Sequence, residues 1–269
     1  MNGDWGKLPA VNVLGIPISV LNMEVAVQEI LRRAAANRAG YVCVRDVHGV
    51  MRAQDDPELR GIHESADLVT PDGMPLVWIC KWWGHSKISR VCGPDLVDEI
   101  CKSSVSLGLR HYFYGGKPGV AERMASNLLE KNPGLTIAGI DAPPFGPLTT
   151  EQDRSYTAKI VESGADIVWV GLSTPTQEYW MRDHVHAIPG AVLIGVGAAF
   201  DFHAGDIRRA PAWMQTSGLE WLYRLFSEPR RLWRRYLVLA PKFVLQVFQE
   251  RARSLLGLAR TTISEEPRS

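Results

Sequence analysis

The chain is poor in cysteine, and the cysteines it has are badly placed for chemistry. Its 269 residues hold four, Cys43, Cys80, Cys92 and Cys101, with no C-x-x-C spacing and no nearby histidine set. A disulfide scaffold and a cysteine-ligated zinc site are therefore excluded, and the residues read as buried, reduced thiols of a cytoplasmic protein. No run reaches the roughly 18 apolar residues that span a bilayer. The first positions carry acids and polar groups rather than a signal-peptide core. The expectation is a chain that does not cross a membrane but can lie on one. No Asp-x-Asp pair and no carboxylate cluster suggests a divalent-cation site, so neither a metal nor a cofactor is expected. No G-x-G-x-x-G follows the first strand, which counts against a nucleotide-dependent oxidoreductase on a similar sheet.

Apolar residues make up 46% of the chain, ample for a core. The net charge of +1 hides an asymmetry. Residues 207–242 carry eight Arg or Lys against two Glu, a net of +6, whereas residues 1–206 carry 18 basic and 24 acidic residues, a net of −6. The basic stretch also holds Trp213, Trp221, Tyr223, Trp233 and Tyr236. Basic and aromatic together suit a membrane surface or a phosphate-bearing partner. Nucleic acid fits less well, because the acidic body would be repelled by a phosphate backbone.

Strand and helix patterns alternate along the body. Residues 11–20 read as a strand or short hairpin broken at Gly15 and Pro17, and Asn22 caps a helix to about Asn37. Strands are predicted at Tyr41–Val44, before Asp72, at His111–Tyr114, Leu135–Ile140, Ile167–Val170 and Ala191–Val196. Helices are predicted at Pro57–Ser65, Met74–Trp83, from Gly93-Pro94 to about Leu107, after Gly119 to Lys131, and from a Thr150 cap to Ser163. Near-continuous apolar strands between helices indicate an α/β fold, a Rossmann-like, mostly parallel sheet with helices on both faces. From Ala210 the texture changes. Pro211 opens a helical stretch through Leu225, Pro229 opens another, and Pro241 should kink it. The expected organisation is an α/β catalytic domain over residues 1–205, a basic, aromatic, amphipathic helical appendage over 206–256, and a disordered tail over 257–269.

The chain is organised around Ala66-Asp67-Leu68-Val69-Thr70-Pro71-Asp72-Gly73-Met74. Ligands of open α/β sheets bind outside the carboxyl ends of the strands, so an acid in this turn faces the expected cleft. Taken alone, the stretch favours Asp72 as a cap for the helix that follows; the rest of the chain favours a base.

Several strand ends carry a resemblance together. Thr70-Pro71-Asp72-Gly73, Gly115-Gly116-Lys117-Pro118-Gly119-Val120-Ala121-Glu122, Val170-Gly171-Leu172-Ser173-Thr174-Pro175-Thr176-Gln177-Glu178 and Gly197-Ala198-Ala199-Phe200-Asp201-Phe202 occur in that order. Arg209-Ala210-Pro211, Gly218-Leu219-Glu220-Trp221-Leu222-Tyr223-Arg224-Leu225 and Glu228-Pro229-Arg230-Arg231 follow. Over about residues 11–240 this resembles the WecG/TagA/CpsF family of bacterial glycosyltransferases. The resemblance implies an inverting, metal-independent transfer from a UDP-sugar, often UDP-N-acetylmannosamine, to a polyprenyl-diphosphate-linked saccharide in cell-surface polysaccharide synthesis. It also implies a C-terminal segment that holds the protein on the cytoplasmic face of the cell membrane and helps close the site. Three stretches depart from the family pattern. Asp46 stands where Asn is usual, Pro143-Pro144-Phe145-Gly146 replaces Gly-Tyr-Phe, and Thr176 replaces a common Lys.

An inverting transfer needs a base for the attacking hydroxyl and charge stabilisation for the departing diphosphate. Asp72 fits the base and matches the family Asp with that role; Asp46 and Asp201 are alternatives. Arg90 is the internal cation, or else half of a surface salt bridge. Gly115, Gly116 and Lys117 open a helix and could hold nucleotide or diphosphate through backbone N–H groups, with Gly171 at the next strand end. Gln177 and Glu178 fall in the first turn of a helix facing the cleft, with Gln177 expected on the nucleotide and Thr174 to Gln177 as a capping box. His48 reads as a structural or sugar-contacting residue. Arg224, Arg230, Arg231, Arg234 and Arg235, with Trp233, are expected on the lipid diphosphate and anionic headgroups. The competing reading for these helices is packing against another subunit of a homo-oligomer. Two other classes remain at this point, the oxidoreductase and a non-catalytic membrane-binding module.

Overall fold

The computed structural model describes residues 8–255; the tail expected after Gly257 lies outside them. The chain opens with an antiparallel hairpin, β1 (Ala10–Val13) and β2 (Ile16–Ser19). Leu14 and Gly15 both take positive φ at its tip, the geometry of a two-residue hairpin turn. Pro17 sits inside β2 and does not end it. Asn22 caps α1 (Met23–Ala35) by accepting from the Val25 N–H, as the sequence predicts.

The body then alternates. In order come β3 (Gly40–Arg45), α2 (Val47–Arg52), α3 (Pro57–Ser65), β4 (Leu68–Pro71), α4 (Met74–Trp82), α5 (Gly93–Ser104), β5 (Arg110–Gly115) and α6 (Val120–Lys131). They are followed by β6 (Thr136–Asp141), α7 (Thr150–Ser163), β7 (Ile167–Gly171), α8 (Thr176–His184), β8 (Val192–Gly195) and α9 (Ala199–Ala204). One cap differs by a residue from expectation. Thr149, not Thr150, caps α7, because its hydroxyl pairs with Gln152 in a reciprocal capping box.

The six body strands form one parallel sheet in the order β4-β3-β8-β7-β5-β6. Side chains alternate between two apolar layers. Tyr41, Cys43, Val168 and Val170 face α2, α3, α4 and α8, while Val42, Ile167 and Trp169 face α1, α5, α6 and α9. Burial on both sides explains why these strands read as unbroken apolar runs. All four cysteines are buried and free, and burial pushes the Cys80 thiol up to about 11. From β3 the chain turns outward to β4, whereas β8 arrives from β7 on the other side, and α2 and α9 cover opposite faces. The connections after β3 and β8 thus leave on opposite faces of the sheet, the kind of place where ligands of such sheets bind.

Beyond Ala210 the predicted single helix to Leu225 is two, α10 (Ala212–Thr216) and α11 (Glu220–Ser227). Gly218, at φ +76°, separates them. Next come α12 (Pro229–Trp233), a π-helical stretch at Arg234–Leu239, and α13 (Ala240–Leu255). The irregularity expected at Pro241 is this wide stretch, placed just before a ring that would crowd the carbonyl four residues back. Phe243 and Val247 of α13 enter the core layer beneath α2 and α4.

Candidate active site

Asp72 leaves the end of β4 at the carboxyl edge of the sheet. Its N–H donates to the Arg45 carbonyl at 2.7 Å, tying the β4 turn to the end of β3. Gly73 occupies the cap position of α4 and no side chain caps that helix, so the capping role for Asp72 falls away and its carboxyl is left to the cleft. The Val91 N–H donates to the Pro71 carbonyl at 2.8 Å, which draws Arg90 alongside. Arg90 Nε donates to the Asp72 backbone carbonyl at 2.9 Å and lies 3.9 Å from Asp72 Oδ1. Its Nη2 donates to Glu220 of α11 at 2.6 Å. Burial pushes the Asp72 carboxyl up to about 6 against the pull of Arg90, with Asp46 and Glu220 adding to the rise. About a third of its side chain, 32%, still reaches solvent.

Asp46 stands beside this turn; a Cβ on Gly73 would lie 3.7 Å from the Asp46 Cβ. One carboxylate oxygen caps α2 through the Gly49 N–H at 3.0 Å. The other accepts from Arg235 in the π-helical stretch. Burial alone would raise its pKa, but Arg235, His48, the Gly49 N–H and Arg45 together hold it below the usual carboxylate range. His48 is half-buried and its pKa is lowered, chiefly by burial. Arg224 acts on Asp72 electrostatically, as does Arg235. Arg90 of the body thus lies beside Asp72, and Arg224 and Arg235 of the C-terminal helices bear on its charge.

A second group lies along the same edge. Gly115, at φ +128°, ends β5 so close to β7 that a Cβ there would meet the Gly171 backbone at 2.6 Å. The Gly116 N–H donates to the Gly171 carbonyl at 3.1 Å. The Phe200 ring fills the space beside both Gly116 and Gly171. Asp201 follows it with a carboxyl raised by burial, opposed by Lys117 and Arg231. The glycines, Lys117 and Asp201 thus gather by β5 and β7, while Asp46, Asp72 and Arg90 gather by β3 and β4, with β8 between.

Gln177 and Glu178 are buried, at 3% and 0%, so the expected cleft-facing position does not hold for either. Glu178 turns inward rather than into an open cleft and is ion-paired to Arg45. The capping box from Thr174 to Gln177 is absent. Pro175 holds the cap position without a side-chain bond, and the Thr174 hydroxyl donates to Glu178 at 3.3 Å.

The predicted arginines divide. Arg224, stacked 5.4 Å over the Phe202 ring, and Arg235 turn inward. Arg230, Arg231 and Arg234 are exposed, Arg231 paired with Glu228 and Arg234 stacked on Trp233, itself 44% exposed. Sequence reasoning assigned no role to Glu220 or to Arg45. A glycine inside short α2, Gly49, was the available signal for Arg45, since helix-interior glycine is costly without a reason. Pro143 and Pro144 follow β6, at the sheet edge opposite β4, about 24 Å away at ordinary strand spacing. Among the described residues, no three His, Cys, Asp or Glu side chains gather as a metal site would require. No helix among them is long and apolar enough to cross a membrane.

The model of the family described as "Glycosyl transferase WecG/TagA/CpsF family" matches residues 11–256. A characterised relative is the N-acetylglucosaminyldiphosphoundecaprenol N-acetyl-beta-D-mannosaminyltransferase of Bacillus spizizenii. It is 32% identical over 217 residues, which covers 80% of this chain and 82% of the relative.

Proposed function

The chain belongs to the WecG/TagA/CpsF family of glycosyl transferases, and from that premise we propose that it moves N-acetylmannosamine, or a related hexose or uronic acid, from UDP to a polyprenyl-diphosphate-linked saccharide. The observation that carries the reading is a half-buried carboxylate at the carboxyl edge of the sheet, Asp72, with Arg90 beside it and with Arg224 and Arg235 bearing on its charge. The name of the Bacillus spizizenii relative supports the sugar and acceptor class.

In the proposed step the acceptor hydroxyl attacks the anomeric carbon and Asp72 takes its proton. The bond from that carbon to the diphosphate oxygen breaks on the opposite face, inverting the centre, and UDP leaves with the bonding electrons. A carboxyl with a pKa of about 6 is largely ionised at neutral pH yet basic enough to accept a proton in the transition state. The three guanidiniums balance the charge on the departing diphosphate, so the reaction proceeds without a metal. Gly115, Gly116 and Lys117 hold the nucleotide on the β5 and β7 side, whereas Gln177, expected on the nucleotide, is buried and bonded to Glu178.

The C-terminal helices take the membrane surface in this reading. Their acids are engaged, Glu220 by Arg90, Glu228 by Arg231 and Glu250 by the Leu14 N–H. Their exposed side chains include many basic and apolar ones, such as Arg230, Arg234, Trp233 and Phe248, and, among the described residues, no acid. Phe248 lies 5.5 Å from the exposed ring of Trp82, so α4 extends the patch. Such a surface suits anionic headgroups on the inner face of the cell membrane.

The test is UDP release from a panel of UDP-sugars with a polyprenyl-diphosphate-linked N-acetylglucosamine acceptor and EDTA present. Acceptor-dependent release with one donor, lost in Asp72→Asn, is expected. Release that needs added metal, or survives Asp72→Asn, would refute the mechanism. Sedimentation with anionic and neutral vesicles tests the surface, with binding to anionic vesicles alone expected.

A further inference from the structure

Arg45 and Glu178 form an ion pair with both side chains out of solvent, 1% and 0% exposed. We propose that this pair is a positioning strut that sets the Asp46 turn, on one side of the cleft, against the Gln177 turn on the other. The inference rests on the transferase reading only for the identity of the nucleotide. Arg45 ends β3. Its carbonyl holds the Asp72 turn, its neighbour Asp46 holds Arg235, and its side chain runs the other way, beneath α2. There it meets Glu178 in the first turn of α8, after β7. The same Glu178 oxygen also accepts from Gln177 Nε2 at 2.7 Å and from the Thr174 hydroxyl at 3.3 Å. One carboxylate oxygen therefore gathers the β3–α2 turn and the β7–α8 turn across the intervening end of β8.

The backbone is shaped to admit this strut. A Cβ on Gly49 would lie 2.5 Å from Arg45 Nη1, and one on Gly195 would lie 2.8 Å from Met181 Cε and 3.0 Å from Gln177 Nε2. Glycine at these two positions, one inside a helix and one closing a strand, costs local stability that only the space it leaves can explain.

Stability does not account for the pair. Arg45 Nε and Nη1, Glu178 Oε2 and Gln177 Oε1 are buried without protein partners. A buried pair so incompletely satisfied recovers little of its desolvation cost, and apolar side chains of similar volume would serve the fold equally well. What apolar side chains cannot reproduce is a directional link between two turns. Arg45 and Glu178 are positioning residues: neither is placed on the reacting atoms.

The full-length Arg45→Met/Glu178→Leu double variant separates the two roles. Its Tm should equal or exceed that of the wild type, whereas Arg45→Met alone should lower Tm because a buried carboxylate loses its partner. Amide exchange in residues 45–49 and 172–178 of the double variant should quicken while the β5 and β7 amides stay protected. UDP affinity by calorimetry should fall by roughly tenfold, and kcat/KM by on the order of 100-fold, the scale of an ångström-level misplacement. Wild-type exchange and UDP affinity in a stable double variant would overturn the strut. Should that variant fold poorly, Arg45→Lys keeps the buried charge but not the planar fork. Its UDP affinity must then drop measurably, and full wild-type affinity would overturn the proposal. A wild-type chain that binds no UDP would sink the donor reading alone, because amide exchange still reports the strut.

Discussion

The body and the C-terminal helices are held by different forces. In the body, six parallel strands bury alternate faces in two apolar layers, and Trp169, Phe113 and Phe200 are almost wholly enclosed. After Pro211, among the described residues, Leu232, Phe243 and Val247 are the buried apolar anchors. Much of the remaining attachment is by charge, through Glu220 on Arg90, Arg235 on Asp46 and Glu250 on the Leu14 N–H. Area-driven packing is non-directional, whereas an ion pair fixes position and responds to salt and to incoming anions. The proposed active site lies on the seam, with its carboxylate from the strongly packed region and two of its three cations from the charge-docked one. In the proposed mechanism the body holds Asp72 rigidly while the arginines adjust to a diphosphate.

The largest expected effect tests the rigid side. Asp72→Asn should lower kcat by about 10²- to 10⁴-fold, the range for loss of a general base, with UDP affinity by calorimetry little changed. A comparable loss of UDP affinity would mean that Asp72 binds rather than reacts. Next comes the charge-docked side. Arg235→Ala should reduce kcat/KM by on the order of 100-fold, as removal of one transition-state charge donor does, and leave Tm of the body nearly unchanged. If Arg235→Ala melts the whole chain, the two regions are one cooperative unit and the contrast fails.

Much of the body was legible in the sequence because its signals are local. The alternation of apolar strands and capped helices, Asn22 with Val25, and the Pro-Asp-Gly turn at residues 71–73 all declare themselves within a few residues. The site was legible as a set of strand ends, since a parallel sheet must bring those ends together. What stayed hidden was pairing at long range. Glu178 read as a cleft residue because a first-turn position faces a cleft as readily as a core, and its partner Arg45 lies 133 positions away. Glu220 and Arg90, 130 positions apart, were invisible as a pair for the same reason. The break at Gly218 was missed because helical periodicity resumes directly after it.

A smaller effect probes the apolar anchors of the docked region. Phe243→Ala removes a fully buried ring from α13, a change that costs about 3–5 kcal/mol in a rigid core. Because few other anchors support α13, the loss should appear as local opening. Amide protection should collapse over residues 229–255 and persist in β3, β7 and β8. Activity should fall along with it, because Arg235 is then no longer held over Asp46. Uniform loss of protection throughout the chain would place α13 in the body.

The smallest effect concerns the two carboxylates on the seam, whose linkages have opposite sign. The Asp46 carboxyl is held below its ordinary value, so its contribution is present above about pH 4 and fades as pH falls. Asp72 is raised to about 6, so the folded state binds its proton more tightly than the unfolded state does. Its contribution to stability is full below about pH 4, the unfolded pKa, and is lost as pH rises through about 6. At neutral pH the ionised Asp72 therefore destabilises the fold that holds it, as the proposed base role would require. Asp72→Asn should raise Tm slightly at pH 7.5, and the gain should vanish by pH 4. The wild-type kcat/KM should lose about tenfold per pH unit well below pH 6, as the base is protonated. A variant less stable than wild type at pH 7.5 would show that the ionised carboxylate is paired and satisfied, and Arg90 beside Asp72 would then be structural rather than poised for the diphosphate.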